Sequence, residues 1–170
     1  MGLSIAVLGL GPSLSLYEPE DYVTSIGVND IWRYHKTDVV VCINPKKNFN
    51  HDRWLYIDSC TPSSFYSQIV NWDYKPSFKY IELTEYYPAV KINLDIRQFY
   101  KSYCSPFVAC QIAWREYGAK EIHLFGVDMV DHPILDTEMC RKSKKHFLLL
   151  AQALDTKGCK LIVHGGGILK

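Results

Sequence analysis

The chain has 170 residues, 48% hydrophobic and 14% aromatic, enough to bury the core of one domain without disulfides or metals. Nineteen basic residues stand against eighteen acidic ones with no long run of either sign, so the electrostatic footprint of a general nucleic-acid binder is missing. The apolar stretch 3–10 is too short to span a bilayer and lacks a basic leader and a small-residue cleavage site, which predicts a cytoplasmic protein.

Along the chain, short apolar runs alternate with longer segments of mixed polarity. That is the pattern of a parallel sheet covered on both faces, and it predicts an α/β fold: a single-domain Rossmann-like three-layer sandwich with a mostly parallel central sheet. Strands are expected at 3–8, 24–28, 38–43, 55–57, 79–83, 121–125 and 160–163, the continuous apolar runs among them lying centrally. A helix is expected to open at Ser105-Pro106, with Ser105 as its cap, and to stop at Gly118. A second runs over 136–157, with Phe147, Leu150, Ala151 and Leu154 at helical spacing and Gly158 as its stop. The middle, 61–103, is rich in Pro, Tyr and Ser and is expected to be irregular with one short helix. The end, His164-Gly165-Gly166-Gly167, reads as the last strand running into a flexible tail. Six cysteines, Cys42, Cys60, Cys104, Cys110, Cys140 and Cys159, form no Cys-x-x-Cys pair, and the expectation is buried free thiols.

The strongest local signal is the first strand followed by Gly9-Leu10-Gly11-Pro12-Ser13-Leu14. Glycines at 9 and 11 let the backbone turn and approach a ligand. Exposed amides and the Ser13 hydroxyl at a helix start are suited to an anion, most naturally a phosphate. Leu14 stands where the dinucleotide fingerprint has its third glycine, which disfavours a hydride-transfer cofactor. Asn29, Asn44 and Asp128 each follow an expected strand, and polar residues past the carboxyl ends of parallel strands converge on one crevice. Each is also ordinary turn chemistry when taken alone. Lys46 and Lys47 read as solvated surface, and the twelve tyrosines suit either base stacking or a subunit contact.

The order of these elements resembles the bacterial sialyltransferases of glycosyltransferase family 42 and related Rossmann-like proteins, including pterin-pyrophosphokinase-like ones. The Gly-x-Gly-Pro-Ser-Leu turn is matched by residues 9–14, the following Asn by Asn29, and Asn-Pro by Asn44-Pro45. The Ser opening an alanine-rich helix is matched by Ser105. The later Gly-x-Lys-Glu-Ile-x-Leu-x-Gly-Val-Asp is matched by residues 118–128, so the likeness spans about two-thirds of the chain in order. The resemblance implies a pocket for a CMP-type nucleotide-sugar lined by Gly11, Ser13, Asn29, Asn44, Ser105 and Asp128, with Gly9 joining Gly11 and Ser13 in holding phosphate. It also implies tyrosines soon after Asp128 and a general-base His before the last helix. Val130 and a stretch ending near Arg141 stand there instead, and His132 is the expected substitute, with His146 as the other candidate.

Three readings stay open: a small glycosyltransferase using a CMP-type donor, a non-catalytic binder of a nucleotide-derived small molecule, and a pterin-type pyrophosphokinase. Only the last calls for Mg²⁺, with Asp128, Asp131 and Asp136 as carboxylates. The partner expected in every case is a small-molecule nucleotide ligand, with no nucleic acid and no membrane span; a homo-oligomer is compatible with all three.

Overall fold

A strand flanked on both edges and covered on both faces is apolar on both faces, as Ile5–Leu8 are, and the run Ser4–Leu8 pairs with Glu121–Phe125, whose Ile122 and Leu124 share one apolar face, at the heart of the sheet. In the computed structural model, which describes residues 2–68, 78–129 and 136–170, seven strands form one sheet. They are β1 (Ser4–Leu8), β2 (Thr24–Val28), β3 (Val39–Val41), β4 (Ser64–Gln68), β5 (Lys79–Ile81), β6 (Glu121–Phe125) and β7 (Lys160–Val163). Their order is β5-β4-β3-β2-β1-β6-β7, and every neighbouring pair is parallel. The chain works outward from β1 to β5, then returns to lay β6 on the other side of β1. The topological switch therefore falls between β1 and β6.

Alternation along the strands splits the core into two layers. Ile5, Val7, Ile26, Val28, Val39, Val41, Ile122 and Leu124 face α2 (Ser105–Tyr117) and α3 (Thr137–Thr156). Ala6, Leu8, Val40, Cys42 and Phe125 face the other way, against α1 (His51–Ser59) and the short 3-10 turns Pro12–Leu16 and Ile31–Arg33. The expected Rossmann-like α/β sandwich is the fold adopted. No helix among the described residues is long and apolar enough to cross a membrane.

Four local expectations are corrected. Residues 55–57 are helical, inside α1, because the Asn50 Oδ1 accepts the Arg53 N–H and starts a helix whose inward residue is Ile57. The strand missed in compensation is β4, whose polar residues disguised it: Ser67 Oγ donates to Cys42 O, and Gln68 Nε2 donates to Ile43 O, so both are satisfied on the backbone beyond β3. Ser105 is the first helical residue of α2, with Cys104 at the cap position. The end of the chain is seated on the protein, as described below. α3 matches expectation closely: Asp136 Oδ1 accepts the Met139 N–H, and Gly158 follows with φ +69°. None of the six cysteines is in a disulfide; Cys104 is half-buried and the others are buried.

Between β5 and α2 the chain has no regular element longer than an isolated bridge from Leu83 to Phe99. Side chains of α2 help pin it: Arg115 donates to Leu94 O and Arg97 O, and Gln111 holds the segment's other end. Gln111, fully buried on α2, accepts the Tyr100 N–H through Oε1 at 2.9 Å and donates from Nε2 to Tyr100 O at 2.8 Å.

Candidate functional site

Because all seven strands run the same way, the loops after β1, β2, β3, β6 and β7 emerge at one edge of the sheet. Asn29, Asn44 and Asp128 are all on that edge. Asn29 holds a left-handed backbone, φ +53°, and its N–H donates to Val41 O. Such a conformation costs a non-glycine residue about 1 kcal/mol or more and persists where surrounding contacts enforce it. Its side chain meets α2: Ser105 Oγ donates to Asn29 Oδ1 at 3.3 Å. The helix start has no side-chain cap of its own. Asp30, next in the chain, is buried and receives a fork from Arg53, with Nε at 3.0 Å from Oδ2 and Nη2 at 2.6 Å from Oδ1, which locks α1 against this corner. Asn44 is half-buried at the end of β3, followed by Lys46, whose ammonium lies 4.8 Å from the centre of the Trp54 ring.

The crevice between β1 and β6 is built differently from expectation. Pro12 opens a five-residue 3-10 turn rather than an α-helix. The amides are not exposed: Gly9 N–H donates to Phe125 O, Gly11 N–H to Gly126 O, and Ser13 N–H to Asp128 Oδ2 at 3.0 Å. Ser13 Oγ donates to the same carboxylate oxygen at 2.8 Å and accepts the Gly126 N–H at 2.8 Å. The expectation that these amides cradle a phosphate is therefore corrected in its geometry: Asp128 already occupies the anion's place. Gly11 is required by that closeness, since a Cβ there would stand 2.6 Å from Asp128 Oδ2. Gly9, Gly11, Ser13 and Asp128 form a closed joint at the switch point, next to the Asn29–Ser105 pair.

His132 lies outside the described residues, as does Asp131. Asp136 is the cap of α3, and among the described residues no group of three or more His, Cys, Asp and Glu is placed to hold a metal ion. His146 is buried on the inner face of α3, its Nδ1 at 2.8 Å from Ser102 Oγ, with Tyr87 and Tyr103 nearly parallel to its ring. Burial, and then Lys145, hold its pKa below the usual histidine value, so it is neutral at pH 7. Ser102 carries no signal of its own in the sequence, and Tyr87 and Tyr103, which there suit base stacking or a subunit contact, stack on a histidine of their own chain. The signal available was the spacing of His146 with Cys140, Ser143, Phe147, Leu150 and Leu154, all buried on one helix face. An open concavity of about 560 Å³ is at the opposite edge, lined by the strand-opening residues Ser4, Glu121 and Lys160, and Asn29, Asn44 and Asp128 do not line it.

No known family model matches this chain, and no curated protein or solved structure does.

Proposed function

We propose that the protein binds a nucleotide or nucleotide-sugar at the carboxyl edge of the sheet, with Asn29, Asn44 and Ser105 reading its base and ribose. The observation carrying this is the Asn29–Ser105 contact: a left-handed Asn at a strand end, held by the first residue of a long helix whose N-terminal amides carry no side-chain cap. The resemblance in order to the sialyltransferase-like proteins supports a CMP-type ligand. Gly9, Gly11, Ser13 and Asp128 serve this site as its rigid floor rather than as direct phosphate donors. The experiment is a melting-temperature screen of nucleoside monophosphates and nucleotide-sugars, since a ligand bound only by the folded form stabilises it by mass action. A CMP-type compound raising the melting temperature in the wild type, and not in Asn29→Gly or Ser105→Ala, supports the reading. No shift with any nucleotide at millimolar concentration refutes it.

Transfer from a nucleotide donor to an acceptor, with His132 as base, is the catalytic form of this proposal. A binding-only form is favoured by one observation: the alternative base, His146, is 6% exposed and its Nδ1 is taken by Ser102. Release of CMP from a CMP-sugar, lost in His132→Ala while CMP binding persists, selects the catalytic form.

A further inference from the structure

Residues 164–168 leave β7 and turn back over the β1–β6 joint. His164 N–H donates to Leu124 O and Ile168 N–H donates to Asp128 O at 3.0 Å, so this strap is pinned at both ends. Between the pins the chain passes too close for a side chain. A Cβ on Gly165 would stand 2.2 Å from Ser13 Cβ, and one on Gly167 would stand 2.3 Å from Asp128 O; the two residues have φ of +84° and +90°. The strap thus lies directly on Ser13 and Asp128, both less than a tenth exposed.

Its entry is held by two histidines. His164 Nε2 is 2.9 Å from His123 Nδ1, and the His164 ring stacks on Phe125 with centroids 4.2 Å apart. His123 Nε2 has no hydrogen-bond partner among the described residues and faces Glu121 Oε2 at 3.6 Å. A proton assigned to Nε2, toward that carboxylate, leaves Nδ1 as the acceptor and makes His164 Nε2 the donor. Such a contact needs one free lone pair, so the bonded rings refuse the second of the two protons that separated rings would take.

The charged and titratable groups around the pair are few. Glu121 on β6 faces His123, its carboxylate part-exposed and also accepting from Ser4 Oγ on β1. Tyr22 packs its ring on His123, and Tyr17 packs on Phe125. Lys170, whose carbonyl accepts from Lys144 Nζ of α3, opposes a proton on His164. Burial is the largest cause holding His164 below the ordinary histidine value, followed by His123 and Lys170.

We propose that the strap 164–168 is a pH-operated cover on the β1–β6 crevice, shut while His164 donates to His123 and released when both rings are protonated. It goes beyond the ligand reading: what the strap covers is the Ser13–Asp128 joint, and the proposal stands without a ligand. Separated imidazoles take up protons near pH 6.5, so a closed state that refuses one proton loses about tenfold in its ratio to the open state between pH 7.5 and 5.5. The sign is fixed by the pair: the cover is shut above the free-ring value and lost as pH falls through it.

The test is amide hydrogen exchange at Ile168 in the ligand-free full chain, corrected for intrinsic rates, with the β6 amides as a check on folding. Protection of Ile168 is expected to drop about tenfold from pH 7.5 to 5.5 in the wild type while β6 stays protected. It should be pH-independent in His164→Gln and low at both pH values in Gly167→Ala. Protection that is constant with pH in the wild type, while the His123 and His164 ring signals titrate over that range, overturns the proposal, as does an unchanged pH dependence in His164→Gln. CMP binding is scored separately by melting temperature, so failure of the ligand reading and failure of the cover are told apart.

Discussion

Replacing Asp128 with Ala removes the acceptor of two hydrogen bonds that tie the loop after β1 to the loop after β6. Ser13 N–H and Ser13 Oγ both donate to Asp128 Oδ2, at 3.0 and 2.8 Å, and both residues are buried. Hydrogen bonds to a charged group contribute about 1.5–3 kcal/mol each, and a buried amide left without an acceptor adds its own cost. The two bonds share one oxygen and are not additive, so the expected loss is about 3–4 kcal/mol. For a chain of this length that lowers the melting temperature by roughly 6–15 °C. Urea unfolding at pH 7.5 measures it, and a double-mutant cycle with Ser13→Ala isolates the pair. Ser13→Ala also strips the acceptor from the Gly126 N–H, so it is itself costly, but the coupling between the two substitutions should exceed about 1 kcal/mol. Asp128→Asn, which keeps an acceptor oxygen, should recover about half of the loss. A change below about 1 kcal/mol for Asp128→Ala, or strict additivity in the cycle, would refute the claim that this carboxylate closes the switch point.

Asn29→Gly relieves a left-handed backbone while deleting the Ser105 contact, so stability should stay within about 1 kcal/mol of wild type as nucleotide affinity falls at least roughly tenfold; urea unfolding and calorimetric titration read the two separately. Burial holds His146 below the unfolded value of about 6.5, so the unfolded chain binds the extra proton and stability should fall as pH drops from 7 through about 6.5 towards 5. His146→Gln should flatten that part of the urea-derived stability profile. Gln111→Ala deletes both bonds to Tyr100 and should cost about 2–4 kcal/mol, with Tyr100 and its neighbours losing exchange protection first. Burial pushes the Cys159 thiol up to about 11 and the Cys110 thiol well above its usual value, so both should resist iodoacetamide at pH 8 until the chain is unfolded.

The sequence by itself determined the architecture and most of its pieces. A two-faced apolar run such as 5–8 reads as a central strand of a covered sheet, and Pro106 with Gly118, or Asp136 with Gly158, bracket helices by local backbone chemistry that needs no tertiary partner. Placing Asn29, Asn44 and Asp128 at one edge also followed, because in a parallel sheet every strand ends on the same side. Local pattern failed where distant groups satisfy a residue's polarity. β4 hides Ser67 and Gln68 because their side chains bond to the backbone beyond β3, whereas the helix over 55–57 is a local effect of the Asn50 cap. The same holds for the site. Gly9, Gly11 and Ser13 have the composition of an anion loop, but whether their amides are free depends on Asp128, more than a hundred residues away. Nor does a run of three glycines reveal that it must pass within contact distance of Ser13, a closeness that only the packing of β7 beside β6 creates.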